Sequence, residues 1–394
     1  MSLEAPKGFL FSTAEAAIKK PGRKDIALIY SETPCVMAGM FTTNKIKAAP
    51  VRLDMQRIKR GIGRAVIVNS GNANACNGSQ GMDDAFEMSE TIGNLLKVKK
   101  EHIFICSTGV IGAPMPMDRI RPKLPLLVKN LGKSSLGDVA SAIMTTDTFP
   151  KIAYRKITCG EKEIVISAIC KGAGMISPNM ATMLCFIITD ANIERAALDA
   201  SLRSAVSQSF NRITIDGDMS TNDTVLIMAN GTASNNIIKK GTKDYRIFSE
   251  ALSDITFELS RLIVKDAEGA SKLVEIEIIN AKSSSDAFKA AFAIANSLLV
   301  KTAIYGNDAN WGRLMAALGY SGAMIKEEFV DIYLNDLKVA QGGITTGSDM
   351  EANEKLRDRE IKILIDLNLG RGSARVLTCD LTEDYVRINA EYRT

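Results

Sequence analysis

The stretch KGAGMISPNMATMLCFIITD, residues 171–190, decides how this chain is interpreted. Its first part is rich in Gly, Pro and Asn, which favours irregular backbone, whereas the apolar run from Met183 to Ile188 predicts a buried strand. Thr182 lies at the junction, where the beginning of a rigid strand can hold a hydroxyl group in a fixed direction. Thr182 is therefore the candidate nucleophile of this chain.

The peptide bond before Thr182 is itself a candidate target of that hydroxyl group. Attack on the Ala181 carbonyl would give an ester that water opens, so that Thr182 would be left with a free α-amine. A threonine hydroxyl needs a base with a pKa near the working pH, and an α-amine, with a pKa of about 7.7–8.0, fits. Histidine is the usual alternative base, but the chain contains only His102, in a pattern typical of the entrance to a strand.

The residues around Thr182 resemble the self-cleavage motif of the ornithine acetyltransferase (ArgJ) family of arginine biosynthesis. Other segments match the same family in order along essentially the whole chain: NSGNANACNG (69–78), STGVIG (107–112), MTTDTFPK (144–151), TIDGDMSTNDT (214–224), KDAEG (265–269), IYGNDANWGRLMAALGYSG (304–322) and YVRINAEYRT (385–394). The departures are slight, because Asn77 replaces a more usual Thr and Ala173 a Ser that is also common. Neither position is assigned any chemistry.

The distribution of short strands and helices predicts an α/β fold. Strands are expected at 25–31, 35–43, 64–69, 103–107, 151–158, 162–168, 224–229, 272–279, 329–334 and 360–367, and helices at 83–96, 116–131, 138–144, 194–209, 245–266 and 286–300. The strands occur in adjacent groups, which favours stacked mixed sheets covered by helices over a doubly wound parallel sheet. A length of 394 residues also favours two domains or subdomains.

The resemblance makes this expectation more specific. It implies an α-β-β-α sandwich in an enzyme with an N-terminal threonine nucleophile, made by autocatalytic cleavage between Ala181 and Thr182. Residues 1–181 would form an alpha chain that carries the oxyanion hole. Residues 182–394 would form a beta chain that carries the nucleophile and the substrate pocket, and the two chains would associate as a heterotetramer of two of each.

The corner Ser107-Thr108-Gly109 follows an apolar strand and turns at glycine. Such a corner can present a hydroxyl group and a backbone N–H in one direction, although the pattern alone is also that of an ordinary turn. The resemblance assigns the Thr108 side chain and the Gly109 N–H to an oxyanion hole, whose donors are typically worth about 10²–10³ in rate each.

Substrate contacts are also implied by the resemblance, and they fall on Thr145, Lys171, Thr182, Glu268, Asn389 and Thr394. A Lys171 ammonium group would keep a neighbouring amine neutral and pair with a substrate carboxylate. A Glu268 carboxylate suits an ammonium-bearing ligand such as ornithine. Thr146 stays an alternative to Thr145, and the apolar alternation of the C-terminal tail predicts a strand up to the last few residues.

Composition and charge exclude several other classes of protein. The net charge is +4, from 49 basic and 45 acidic side chains that are scattered along the sequence, which argues against nucleic-acid binding. The longest apolar stretches are about ten residues, half of the roughly 20 needed to cross a membrane. The N-terminus does not resemble a secretory signal. A cytoplasmic location is therefore expected.

The sequence gives no reason to expect a metal or a cofactor. Its seven cysteines form no C-x-x-C pair, so structural disulfides and a thiolate zinc site are not expected. The acidic residues Asp216, Asp218 and Asp223 suit capping and turn formation better than metal binding. Acetyl-CoA remains possible as a co-substrate.

The resemblance, together with the candidate nucleophile Thr182, implies an acyltransferase that moves the acetyl group of N2-acetylornithine to glutamate through an acetyl-Thr182 intermediate. A bifunctional enzyme that also makes N-acetylglutamate from acetyl-CoA is the preferred form. One alternative is a self-cleaving amidohydrolase or aminopeptidase, in which water replaces glutamate. Another is a non-catalytic binding or assembly protein, in which the Thr182 segment is only the beginning of a strand.

Overall fold

The structure, a computed structural model, describes residues 5–177 and 183–391. The strands are β1 (Phe9–Ala14), β2 (Ile26–Phe41), β3 (Ile62–Asn72), β4 (Ile103–Val110), β5 (Lys151–Cys159), β6 (Lys162–Lys171), β7 (Leu184–Thr189), β8 (Thr224–Ala229), β9 (Leu273–Ala281), β10 (Asp331–Leu334), β11 (Leu337–Gln341), β12 (Ile344–Thr345), β13 (Glu360–Asp366) and β14 (Gly372–Cys379). The α-helices are α1 (Ala49–Arg57), α2 (Gly78–Leu96), α3 (Met117–Ile120), α4 (Leu124–Lys129), α5 (Leu136–Ala142), α6 (Arg195–Gln208), α7 (Lys243–Lys265), α8 (Ser284–Ala295), α9 (Leu298–Tyr305), α10 (Trp311–Gly319), α11 (Asp349–Lys355) and α12 (Glu383–Ala390).

The chain divides into two compact units. The first comprises Met1–Gly172, Asn179–Asn211 and Met219–Ser260, and the second comprises Ala173–Pro178, Arg212–Asp218 and Arg261–Thr394. The sheet of the first unit has the strand order β4-β3-β2-β8-β7-β6-β5, with β1 paired to β2, and that of the second has the order β12-β11-β10-β13-β9-β14.

Both sheets are mixed. In the first unit β3 is parallel to β4 and β7 is parallel to β8, whereas the other pairs are antiparallel. In the second unit β9 and β13 are the parallel pair. The predicted α/β fold of mixed sheets packed against helices, rather than a doubly wound parallel sheet, is confirmed.

Strands β2, β3 and β4 of the larger sheet are buried on both faces because their residues alternate between two apolar cores. Ala27 and Ile29 of β2 pack with Val139 of α5 on one face. Ile26 and Leu28 belong to the other core, which is covered by apolar residues of α1, α2, α3 and α4. Each fully buried aliphatic side chain of this size stabilises the fold by about 1.5–3 kcal/mol. The site residues at the strand ends are thus attached to a rigid support.

The apolar run after residue 182 forms the predicted strand, β7. This strand pairs with β6 in a register that places Leu184 opposite Lys171 and Cys185 opposite Cys170. On its other side β7 pairs with β8, which in turn pairs with β2. Two strands from the second half of the sequence therefore lie between strands from the first half.

Three predictions of secondary structure are wrong for local reasons. The expected helix 116–131 is divided into α3, a 3₁₀ turn at Arg121–Lys123 and α4, because Pro122 and Pro125 cannot donate a backbone hydrogen bond inside a helix. The expected helix 286–300 is divided where Ser297 caps α9 by accepting the N–H of Val300. The strands expected at 25–31 and 35–43 are one strand, β2, with a register shift between Tyr30 and Cys35.

The C-terminal tail also differs from its prediction, because it forms helix α12 instead of a strand. Thr382 caps this helix by accepting the N–H of Tyr385, and Glu383 and Asp384 occupy its first turn, where acidic side chains stabilise the helix dipole.

No single helix in the described part of the chain is long and apolar enough to span a membrane. Helices α8 and α9 reach that composition only when they are taken together, and they are bent by 58° at their junction.

The order of strands predicts that the two halves of the chain bind each other without a covalent link. Residues 1–181 and 182–394, expressed as separate polypeptides with an affinity tag on one of them, should copurify and separate only in denaturant, because β7 and β8 complete the sheet. Phe186→Asp should abolish copurification, because it places an unpaired charge in the core of the first unit. Two fragments that do not copurify would contradict the prediction.

Candidate active site

Thr108 and Gly109 lie at the carboxyl end of β4, in the first unit. Gly109 adopts a φ of 134°, and a Cβ atom there would approach the carbonyl carbon of Gly71 in β3 to 2.3 Å. Only glycine fits, since the contact is with backbone that cannot move aside. Glycine at position 109 therefore allows the backbones of β3 and β4 to approach closely beside Thr108.

Lys171 is the last residue of β6, and its side chain reaches Thr108. The Nζ atom of Lys171 donates to Oγ1 of Thr108 at 3.4 Å, and both side chains are buried. An ammonium group has no acceptor, so the Thr108 oxygen must accept, which leaves the hydroxyl proton to point at another group. A hydroxyl that accepts from a cation is also a stronger donor, which suits the stabilisation of a negative oxygen.

Asp147 lies beside Lys171 and is buried. Its carboxylate is 2.7 Å from Nζ of Lys151 and 3.9 Å from Nζ of Lys171. Burial alone raises the pKa of Asp147, but the two ammonium groups and the hydrogen bonds from Lys151 and Gly172 outweigh it and hold the pKa far below its usual range. The carboxylate is therefore ionised at neutral pH, which favours charged lysines around it.

The end of β4 is held in place by amide side chains. Asn222 donates from Nδ2 to the carbonyl oxygens of Ser107 and Ala73, at 2.7 and 2.6 Å. The Ser107 hydroxyl donates to Oδ1 of Asn69 at 2.6 Å. Sequence reasoning missed Asn222, although it lies in the family segment 214–224, because nothing in a single sequence shows which strand end an amide will reach.

Asp223 binds the beginning of β7. Its Oδ1 accepts the N–H of Met183 at 3.0 Å, and the Met183 carbonyl accepts the N–H of Thr224 at 3.1 Å. Both the N–H and the carbonyl group of Met183, which follows the candidate nucleophile in the sequence, are thus hydrogen-bonded. Burial raises the pKa of Asp223 well above its usual range, although the Met183 N–H and the charge of Lys171 act in the opposite direction.

Glu268 and Asn389 are in contact in the second unit. Nδ2 of Asn389 donates to Oε2 of Glu268 at 2.9 Å, and the backbone N–H of Glu268 donates to the carbonyl oxygen of Ala173 at 2.8 Å. A Cβ atom on Gly174 would be 2.4 Å from the same carboxylate. The absence of a side chain at Gly174 therefore allows the Glu268 carboxylate to occupy its observed position.

Asp216 organises a turn in the second unit. Its carboxylate accepts the backbone N–H groups of Met175, Ile176 and Asp218, at 2.6, 2.8 and 3.2 Å. The Tyr385 hydroxyl of α12 also donates to it, at 3.3 Å. These contacts agree with the turn-forming role expected from the sequence. In residues 5–177 and 183–391, no group of three or more His, Cys, Asp or Glu is arranged to hold a metal ion.

The predicted site residues thus fall into three groups. Thr108, Gly109, Lys171 and Thr145 belong to the first unit, and Glu268 and Asn389 belong to the second unit. Ala181, Thr182 and Thr394 lie outside the described residues. The roles of the residues in all three groups stay predictions. Thr145 and Thr146 are both half-buried, and the choice between them also stays open.

The cysteines near these residues have no reactive character. Cys106 in β4 and Cys185 in β7 are buried free thiols, and burial raises the pKa of each well above the usual value. A thiol that stays protonated is a poor nucleophile, so neither of them competes with a threonine hydroxyl for the role of nucleophile.

Comparisons with known proteins point in one direction. The profile of the ArgJ family matches residues 10–394. "Arginine biosynthesis bifunctional protein ArgJ" of Geobacter sulfurreducens is 52% identical over 390 residues, which cover 98% of this chain and 99% of that protein. The protein of the same name from Caldanaerobacter subterraneus subsp. tengcongensis is 48% identical over 397 residues, which cover 100% of this chain and 98% of that protein. A crystal structure of ArgJ from Bacillus halodurans is 43% identical, with a TM-score of 0.51, and covers 52% of this chain and 97% of that chain.

The family match and the relatives define an enzyme of the acyl-transfer class. The chain belongs to the ArgJ family. The prediction from sequence of an acyltransferase of arginine biosynthesis is confirmed. The alternative of a self-cleaving amidohydrolase or aminopeptidase is not favoured, and neither is that of a passive binding protein.

The raised pKa of Asp223 leads to a prediction about stability. The folded state favours the protonated carboxyl, so the contribution of Asp223 is fully present below its unfolded pKa of about 4 and is lost as the pH rises through the higher folded value. Asp223→Asn keeps the oxygen that accepts the Met183 N–H and does not titrate. The melting temperature of the variant relative to the wild type should therefore increase from pH 5 to pH 9 in thermal denaturation, and a difference independent of pH would contradict the assignment.

Proposed function

We propose that this chain cleaves itself between Ala181 and Thr182 and then transfers the acetyl group of N2-acetylornithine to glutamate through an acetyl ester of Thr182. The observation that carries the proposal is the buried contact between Lys171 and Thr108 at the end of β4, in a chain of the ArgJ family. Residues 1–181 would be the alpha chain and residues 182–394 the beta chain.

In the first half-reaction the Thr182 hydroxyl attacks the acetyl carbonyl carbon, and its proton passes to the α-amine of the same residue. The negative oxygen that develops accepts hydrogen bonds from the Thr108 hydroxyl and the Gly109 N–H. Collapse of this intermediate breaks the C–N bond, and the α-amine returns the proton to the departing nitrogen of ornithine. The acetyl group is then an ester on Thr182.

In the second half-reaction the amine of glutamate attacks that ester. The same donors stabilise the second oxyanion, and the proton of the glutamate nitrogen passes through the α-amine to the Thr182 oxygen that leaves. The products are N-acetylglutamate and the free enzyme. The α-amine acts as base and acid in turn, so this chemistry needs no cofactor.

The charged residues have distinct roles in this proposal. Lys171 would pair with a carboxylate of the substrate, since it is a buried cation with its ammonium group directed at Thr108. Glu268 would bind an ammonium group, and its hydrogen bond from Asn389 supports this role by fixing the orientation of the carboxylate. Thr145, Thr182 and Thr394 would complete the substrate contacts.

The strand order supports the association of the two chains after cleavage, because β7 and β8 lie between β2 and β6. The cleaved chains would form a heterotetramer in the cytoplasm. The word "bifunctional" in the names of the relatives supports acetyl-CoA as a second acetyl donor.

Thr182→Ala tests the proposal directly, because it removes the hydroxyl group needed for both cleavage and transfer. Intact-mass measurement should find two fragments in the wild type, divided before Thr182, and one intact chain in the variant. The variant should also lose the transfer of acetyl groups from N2-acetylornithine to glutamate.

Thr182→Ser serves as the matched control for this experiment. It keeps a hydroxyl group at the same position, so partial cleavage and partial transfer are expected. An intact wild-type chain with full activity would refute the proposal, and hydrolysis of N2-acetylornithine without transfer would favour the amidohydrolase alternative.

Gly174→Ala tests the role of Glu268 without changing Glu268 itself. The new Cβ atom would displace the carboxylate, and the loss of one charge-assisted hydrogen bond should raise the KM for N2-acetylornithine roughly 10-fold to 100-fold. Gly319→Ala is the control, since a Cβ atom there meets nothing within 4 Å. An unchanged KM in Gly174→Ala would contradict the assignment of Glu268.

A further inference from the structure

One buried carboxylate, that of Asp147, receives hydrogen bonds or charge from four groups. Its Oδ1 accepts Nζ of Lys151 and the backbone N–H of Gly172, both at 2.7 Å. Its Oδ2 accepts the backbone N–H of Thr145 at 3.0 Å and lies 3.9 Å from Nζ of Lys171. The carboxylate thus connects the segment after α5, the beginning of β5 and the end of β6.

The two oxygens of Asp147 face different surroundings. Oδ1 contacts Lys151, whose side chain is completely buried, and the first backbone N–H after β6. Oδ2 contacts two residues that the resemblance assigns to substrate binding, Thr145 and Lys171. A carboxylate that served only as the counter-ion of Lys151 would need none of the contacts of Oδ2.

The position of Lys171 depends on such a partner. A lysine side chain has four rotatable carbon–carbon bonds and a compact charge, so its ammonium group is not held by the backbone alone. Here it lies between the Asp147 carboxylate and Oγ1 of Thr108. Because the side chain of Asp147 has no exposure to solvent, the attraction is weakly screened and is stronger than at the surface.

We propose, on the basis of the function proposed above, that Asp147 is the positioning residue of this enzyme. It fixes the ammonium group of Lys171 against the Thr108 hydroxyl and fixes the backbone of Thr145 beside it. This arrangement prepares a cationic position for a substrate carboxylate. Asp147 does not contact the reacting atoms, so its effect on turnover passes through Lys171 and Thr145.

Asp147→Asn alone does not separate this role from a structural one, because it leaves two buried lysines without their carboxylate and lowers stability. The informative comparison is between Lys151→Met and the double variant Lys151→Met/Asp147→Asn. Lys151 is not one of the proposed catalytic or binding residues. Its replacement by Met removes the buried positive charge that requires Asp147 as its counter-ion. Thermal denaturation should show a higher melting temperature for the double variant than for Asp147→Asn.

Steady-state kinetics with N2-acetylornithine and glutamate then give the decisive values. The double variant should keep its fold. Its kcat/KM should be at least about 10-fold below that of Lys151→Met, and its KM should be higher, because the buried pair of Asp147 and Lys171 is lost while Lys171 remains. Equal kcat/KM values in the two variants, beside an active wild type, would overturn the inference alone. A wild type that transfers no acetyl group would contradict the proposed function and the inference together.

Discussion

The arrangement of the first sheet depends on one constraint, which is that β7 and β8 lie between β2 and β6. Each of these pairings is a ladder of backbone hydrogen bonds, and every residue of β7 and β8 is buried. A strand in this position cannot leave without exposing its unpaired N–H and C=O groups, which is costly in a buried environment. A break before β7 therefore changes the covalent structure of the chain without removing the strand from the sheet.

The same sheet explains why the polar groups of the first unit are so well defined. Thr108, Lys171 and Met183 lie at or beside the ends of three strands, and buried polar residues from loops bind each of those ends. Asn222 binds the carbonyl group of Ser107, and Asp223 binds the N–H of Met183. Buried amides and carboxylates reduce stability unless their hydrogen bonds are made, so their presence at these strand ends indicates a site in which precise positions are required.

The sequence predicted much of this arrangement because local signals were strong. The apolar run after residue 182 became β7, and the expected strand Thr224–Ala229 is β8 with the same bounds. Other features depend on contacts that no local pattern contains. The burial of Lys151 and the four contacts of Asp147 follow from the meeting of β5, β6 and the segment after α5, and an isolated Asp in a Thr-rich segment gives no indication of them. The alternation of apolar residues in the tail predicts a strand, but the chain forms α12 there, because Thr382 caps the helix by accepting the N–H of Tyr385.

The most direct test of the account is whether the acetyl group is carried by the fragment that begins at Thr182. The protein should be mixed with N2-acetylornithine in the absence of glutamate, quenched in acid and measured by intact-mass spectrometry. The fragment of residues 182–394 should gain the mass of one acetyl group and lose it when glutamate is added before the quench. A fragment of unchanged mass in an enzyme that still transfers acetyl groups, or an acetyl group on residues 1–181, would contradict the account.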